Sequence, residues 1–212
     1  MENKRRRNAE QSKRDILRAA EQQFGEKGFY GARVDEIAKQ SGLNKNMLYI
    51  YFESKEELYR CVLKEIYHRM EAVERALLKQ ELMGREFIAA IISAYFDFLK
   101  ENPTFVNILM SENLMQAHFA KQLPGECIER DTLSEMAARV RKSCDSGEFR
   151  PDIDEKQIVL TMITICFSNF SNRYTLSRMM GFDLDDPRIH EKRKRQAIDI
   201  LLIYLTKDPC SC

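Results

Sequence analysis

Lys45, Asn46, Tyr49 and Tyr51 are the residues of this chain whose types and spacing best suit chemistry. They fall in Val-Asp-Glu-Ile-Ala-Lys-Gln-Ser-Gly-Leu-Asn-Lys-Asn-Met-Leu-Tyr-Ile-Tyr-Phe-Glu-Ser-Lys-Glu-Glu-Leu, residues 34–58. An ammonium, an amide and phenols on one short helix suit phosphates and base edges in a DNA major groove. An Asn amide pairs with adenine through both its groups, and Lys favours guanine. The tyrosines are expected to offer hydroxyls to phosphate and rings to thymine methyls or sugars. Lys55, in the first turn of the next helix, sits where its charge and the free backbone N–H groups can both hold a phosphate. Arg33, before the preceding helix, is a third backbone anchor.

These groups need elements that hold them. Val34, Ile37 and Ala38 recur at helical spacing and give the first helix one apolar face. Gly42 supplies the permissive backbone of a sharp helix-to-helix turn, and Ala38 is small enough for close helix packing. Leu43, Leu48 and Phe52 then point into the same core. The spacing predicts a helix–turn–helix with a recognition helix over about Lys45–Tyr51.

The run Asn44-Lys-Asn-Met-Leu-Tyr-Ile-Tyr-Phe-Glu-Ser-Lys55, preceded by Ile37-Ala38 and Gly42-Leu43, resembles the DNA-binding domain of TetR-family transcription regulators. The close match covers roughly Ser12 to Val62; beyond it only the layout agrees. Two positions depart from the family pattern. Ala32-Arg33 stands where Ser or Thr often caps the second helix, and Tyr51 stands where His is common. The resemblance implies that Arg33, Asn44, Lys45, Asn46, Tyr49, Tyr51 and Lys55 contact DNA, Tyr49 more strongly than Tyr51. It implies a palindromic double-stranded operator, a homodimer joined through the last two helices and a small-molecule effector held in the body. It further implies a repressor more often than an activator; no cofactor is expected, and a cytoplasmic location is expected from the lack of an apolar span or secretory signal.

Composition agrees with that expectation. A chain of 212 residues with 44% hydrophobic content can bury a sizeable core. Residues 1–52 hold 11 Lys/Arg against 7 Asp/Glu, a net of +4 that leaves −3 for the remainder of a chain whose total is +1. The positive field thus sits at the end that needs it for DNA. No run of 18 apolar residues suggests a membrane span, and the Lys4–Arg7 cluster lacks the apolar stretch of a secretory signal. The six cysteines, Cys61, Cys127, Cys144, Cys166, Cys210 and Cys212, show no Cys-x-x-Cys spacing. No metal is implied.

Apolar periodicity predicts an all-α protein with no strand. Residues 1–54 form the helix–turn–helix domain, with a basic arm over 1–8, and residues 55–212 a helical ligand-binding and dimerisation domain. Ile16, Leu17, Ala20 and Phe24 make one stripe, ended by Gly25 or Gly28. Ser54 and Glu57 read as a capping box opening a helix from about residue 55 to the high 70s. Further helices are expected from Gly84 to Asn102, from Pro103 through Met115, and from Pro124 to Gly147. One long helix is expected from Asp152–Glu155 to about Met180, and a last one opens with Asp186 as cap and Pro187 in its first turn.

The body is rich in Met and Phe, which suits an adaptable, partly apolar pocket. Phe96, Met110, Met162, Cys166 and Phe170 are its candidate walls. Polar residues within apolar runs, Glu112, Asn113, His118, Asn169 and Arg173, are the candidate hydrogen-bonding groups, because burying them alone is costly. Two other classes were weighed. An enzyme is disfavoured, since the three histidines are widely spaced and no phosphate loop or nucleophile elbow is present. A helical protein-interaction module with a structural-only head is the other alternative, and the outward Lys45, Asn46, Tyr49 and Lys55 speak against it.

Overall fold

Among the described residues, apolar residues at three- and four-residue spacing build ten α-helices and two short 3-10 turns, and no strand. The computed structural model describes residues 2–127 and 131–206, and side chains from residue 9 onward except that of residue 126. The Lys4–Arg7 side chains and the Cys210 and Cys212 tail lie outside the described residues. The helices are α1 (Glu2–Gly31), α2 (Val34–Ser41), α3 (Lys45–Phe52), α4 (Lys55–Leu78) and α5 (Gly84–Glu101). They continue with α6 (Pro103–Leu114), α7 (Asp131–Asp145), α8 (Glu155–Ser171), α9 (Arg173–Met180) and α10 (Pro187–Thr206). No helix among the described residues is long and apolar enough to cross a membrane.

The chain divides into two compact units. The first takes residues 2–69 and 103–127, the second residues 70–102 and 131–206. In the first, α1 packs on α2 and α6. Ile16, Ala20 and Phe24 of α1 are buried in this unit, as are Ile37 and Ala38 of α2, Leu48 and Phe52 of α3, and Leu58, Tyr59 and Val62 of α4. A ring cluster closes this core: Phe24 meets Tyr59 edge-on at 4.8 Å, and Phe119 lies 4.4 Å from Phe29 and 5.0 Å from Tyr59. Such pairs add about 0.5–1.5 kcal/mol each beyond their buried area. Gly28, at φ +65°, bends α1 out of helical geometry where an L side chain would be strained.

In the second unit α5 is the central helix, packed against α7, α8 and α10. It buries Phe87, Ile88, Ile91, Ile92, Tyr95 and Phe96. The buried Glu74 carboxylate accepts hydrogen bonds from Tyr95 Oη at 2.7 Å and from the Thr132 hydroxyl. Arg139 donates to the carbonyls of Leu78 and Leu82, tying α7 to the end of α4 and to the chain that follows it.

Several junctions differ from the periodicity-based expectation. Asp154, not Asp152, caps α8, accepting from the backbone N–H groups of Lys156 and Gln157. The expected single helix to Met180 is two helices, because Asn172 leaves helical geometry and its side-chain amide bonds back to Ser168. Asn102 serves α5, donating to Phe98 O at 2.8 Å, rather than capping α6. Pro124 leads into a 3-10 turn over Gly125–Cys127, and α7 is described from Asp131. Of the capping box, Ser54 Oγ accepts from Glu57 N at 3.0 Å, whereas the Glu57 carboxylate turns to Arg60.

Candidate nucleic-acid interface

The turn between α2 and α3 is set by backbone geometry. Gly42, at φ +72°, caps α2 in the left-handed region, donating to the carbonyls of Ala38 and Lys39. Asn44 then opens α3 by accepting from Met47 N through Oδ1 at 2.9 Å. Its carbonyl group is thus engaged in holding the helix, a role distinct from reading bases. Arg33 precedes α2 in extended geometry without a side-chain capping bond, and its side chain is exposed.

Along α3, residues four apart share a face. Leu48 and Phe52 are buried and pin the helix to the core. On the other side lie Lys45, Asn46 and Tyr49, all exposed, with Tyr49 at 40%. Tyr51 sits on the flank, half-buried, with the Lys13 ammonium 5.7 Å from its ring centroid. Lys45 reaches back to Asp35 at 2.9 Å, an exposed pair. The hydrogen bond to Asp35 raises the Lys45 pKa and the same bond lowers that of Asp35. The Lys55 ammonium lies 4.7 Å over the Phe29 ring, and burial lowers its pKa.

Sequence reasoning missed Ile50, which is 70% exposed on the outward side of α3. The signal was present: once Leu48 and Phe52 are given to the core, helical periodicity turns residue 50 away from it. It also missed that Asp35 tethers Lys45, a contact between helices that local pattern does not encode.

The candidate effector residues fall in both units. In the first, the buried Glu112 accepts from Ala120 N at 3.0 Å and closes the turn after α6. Burial, and next the nearby Glu112 carboxylate, raise the pKa of the Tyr59 phenol, although no well-aligned hydrogen bond joins the two. Asn113 donates to Leu109 O, His118 is exposed beside Phe119, and Met110 is partly exposed. In the second unit Phe96 and Phe170 meet edge-on at 5.6 Å, while Met162 and Cys166 are buried in α8. Burial pushes the Cys166 thiol up to about 12, so it is chemically inert at neutral pH. Arg173 stacks on the adjacent Tyr174 ring at 4.7 Å. A cavity of about 430 Å³ opens between α8, α9 and α10, with Ile165, Leu176 and Phe182 as apolar walls and Asn169 and Arg193 as polar points. Asn169 is the one member of the expected effector set that lines it.

An all-helical chain whose helix–turn–helix holds an amide, a lysine and phenols outward has the build of a DNA-binding transcription regulator. Known proteins agree. Residues 16–62 match the bacterial regulatory proteins of the tetR family, and residues 85–201 match the tetracyclin repressor-like C-terminal domain. The HTH-type transcriptional repressor NicS of Pseudomonas putida is 30% identical over 179 residues, covering 84% of each chain. The regulator RutR of Escherichia coli K12 is 44% identical over 63 residues, 30% of each chain. The fatty acid degradation regulator FadR of Bacillus halodurans shares the fold with a TM-score of 0.70 at 18% identity, covering 90% of this chain and 94% of its own. FadR of Bacillus subtilis, in complex with stearoyl-CoA, does so with a TM-score of 0.67 at 17% identity, covering 90% and 98%. The chain belongs to the TetR family of transcription regulators, which are not enzymes.

Proposed function

We propose that this protein is a ligand-responsive repressor that binds a palindromic operator as a homodimer through α3. The observation that carries the reading is the outward set Lys45, Asn46, Tyr49 and Ile50 on a helix pinned by Leu48 and Phe52. Asn46 and Lys45 read base edges, Ile50 meets a thymine methyl, and Tyr49 with Tyr51 contacts phosphate, sugar or a further methyl. Arg33, Asn44 and Lys55 hold the backbone on either side. Residues 1–54 are the reading part, with the basic arm 1–8 adding non-specific affinity, and residues 55–212 receive the ligand and the second subunit.

Dimerisation runs through α8 and α10. Leu160 on α8 and Ile200, Ile203 and Tyr204 on α10 are each about half exposed, which is apolar surface that a symmetry mate would cover. One helix–turn–helix reads only a few base pairs, so a two-fold pair is what confers operator specificity. The effector enters the second unit, where the cavity beside Asn169 and Arg193 suits a molecule with an apolar body and a polar or anionic end. The stearoyl-CoA bound by Bacillus subtilis FadR, in the same fold, and the repressor role of NicS support this reading.

Selection of duplexes from a random pool by the purified protein, at two salt concentrations, tests it. A recovered pseudo-palindrome whose affinity falls steeply with salt is expected. No enrichment at either salt would leave the helical interaction module as the better reading.

A further inference from the structure

Three electron-rich atoms converge at the start of α10. His190 is only 2% exposed, with its ring edge-on to Phe96 at 5.7 Å and to Phe170 at 6.0 Å. Its Nε2 is buried without a hydrogen-bond partner. That nitrogen faces Asp97 Oδ1 at 3.7 Å and Glu191 Oε1 at 3.8 Å, too far for a hydrogen bond to either. One donor atom from each of the three side chains lies within 4.8 Å of the others. We propose that Asp97, His190 and Glu191 bind a divalent first-row transition metal ion of the zinc type, in competition with the Lys194 ammonium.

The Lys194 ammonium is the obvious alternative occupant. It sits 2.7 Å from Asp97 Oδ1 and 3.0 Å from Glu191 Oε1, and so pairs with both carboxylates while offsetting only one of their two charges. It leaves the imidazole nitrogen unserved, and a buried nitrogen without a partner carries a desolvation penalty. A metal ion serves all three atoms at once. Ligand atoms around tetrahedral zinc stand about 3.4 Å apart for bonds of about 2.0–2.1 Å. The separations here need only small side-chain rotations to reach that. One imidazole with two carboxylates selects a borderline metal such as zinc over calcium or magnesium. Asp97 and Glu191 are more than half exposed, which leaves an entry path and room for water to complete the shell. Since Asp97 belongs to α5 and the other two to α10, the ion would cross-link two helices of the second unit.

The test uses the full chain carrying Cys210→Ser and Cys212→Ser, so that the terminal thiols do not compete. It is stripped with a chelator and titrated with Zn²⁺ against a chelating dye, with Co²⁺ absorption reporting coordination. One ion per chain is expected. Asp97→Asn and Glu191→Gln, on exposed side chains, should each weaken binding by at least about 100-fold, the upper end of what losing an outer partner does. Lys194→Met should tighten it by roughly 10-fold through removal of the competing charge. That gain separates a metal site from a structural ion pair, which the same change could only weaken. The proposal is overturned if neither the parent nor Lys194→Met takes up one equivalent. It is equally overturned if Asp97→Asn and Glu191→Gln leave uptake unchanged, since the ion then sits elsewhere.

Discussion

Helices α3 and α8 each bury one face and leave the other open, yet their open faces have different chemistry. On α3 the open face is Lys45, Asn46, Tyr49 and Ile50: a charge, an amide, a phenol and one aliphatic group within a single turn and a half. On α8, beyond the exposed Lys156 and Gln157 of its first turn, it is Leu160, Thr161, Thr164 and Ser168, which carry no formal charge and whose threonine hydroxyls return to their own helix. The first is dense in hydrogen-bonding groups aimed outward, which fits a groove lined with donors and acceptors. The second is smooth and self-satisfied, which fits a copy of the same helix. Exposed apolar residues therefore mean different things in the two places. Ile50 is an island among polar groups, and Leu160 is matched by the exposed apolar residues Ile200, Ile203 and Tyr204 of α10.

If that contrast holds, charging the α8 face should have the largest effect. Leu160→Glu combined with Ile203→Glu should give a monomer by sedimentation. Operator affinity should then fall by about 100-fold or more through lost bivalence, while each head stays folded. Asn46→Ala should come next, costing about 1–3 kcal/mol and relaxing preference at one base position per half-site, read by repeating the duplex selection. An unchanged consensus would mean that bases are read by other residues of α3. Lys55→Ala should weaken all sequences alike and reduce the slope of log affinity against log salt by about 1. Ile50→Ala should cost about 1 kcal/mol, and only on duplexes carrying thymine rather than uracil at the contacted position. The smallest effect is expected of Asp35→Asn, which frees Lys45 for phosphate. Non-specific affinity should rise slightly at low salt and not at high salt.

The head was legible in the sequence because its signals are local. Gly42, the Ile37–Ala38 stripe and the Leu48/Phe52 pair all lie within sixteen residues, and each fixes its neighbour's conformation. The helix count of the second unit was only partly legible. The periodicity from Ile158 to Phe170 runs on without a break in pattern, and what ends α8 is the Asn172 amide turning back to Ser168. A side-chain bond of that kind competes with the ladder without altering hydrophobic spacing. Likewise Asp152 and Asp154 are equivalent as capping signals, and only the backbone path chose Asp154. The effector residues were least legible. A polar residue inside an apolar run marks a cavity or a structural bond equally well, and Glu112 makes such a bond to Ala120.

The first unit gathers residues 103–127 into the same core as residues 2–69. Exchanging heads between regulators of this kind by a single cut after residue 54 would therefore strip Tyr59 and Phe119 from Phe24 and Phe29. The graft would arrive with an open aromatic wound. A working hybrid needs three junctions, one in α4 and one at each end of residues 103–127, so this head travels as two interleaved pieces of chain.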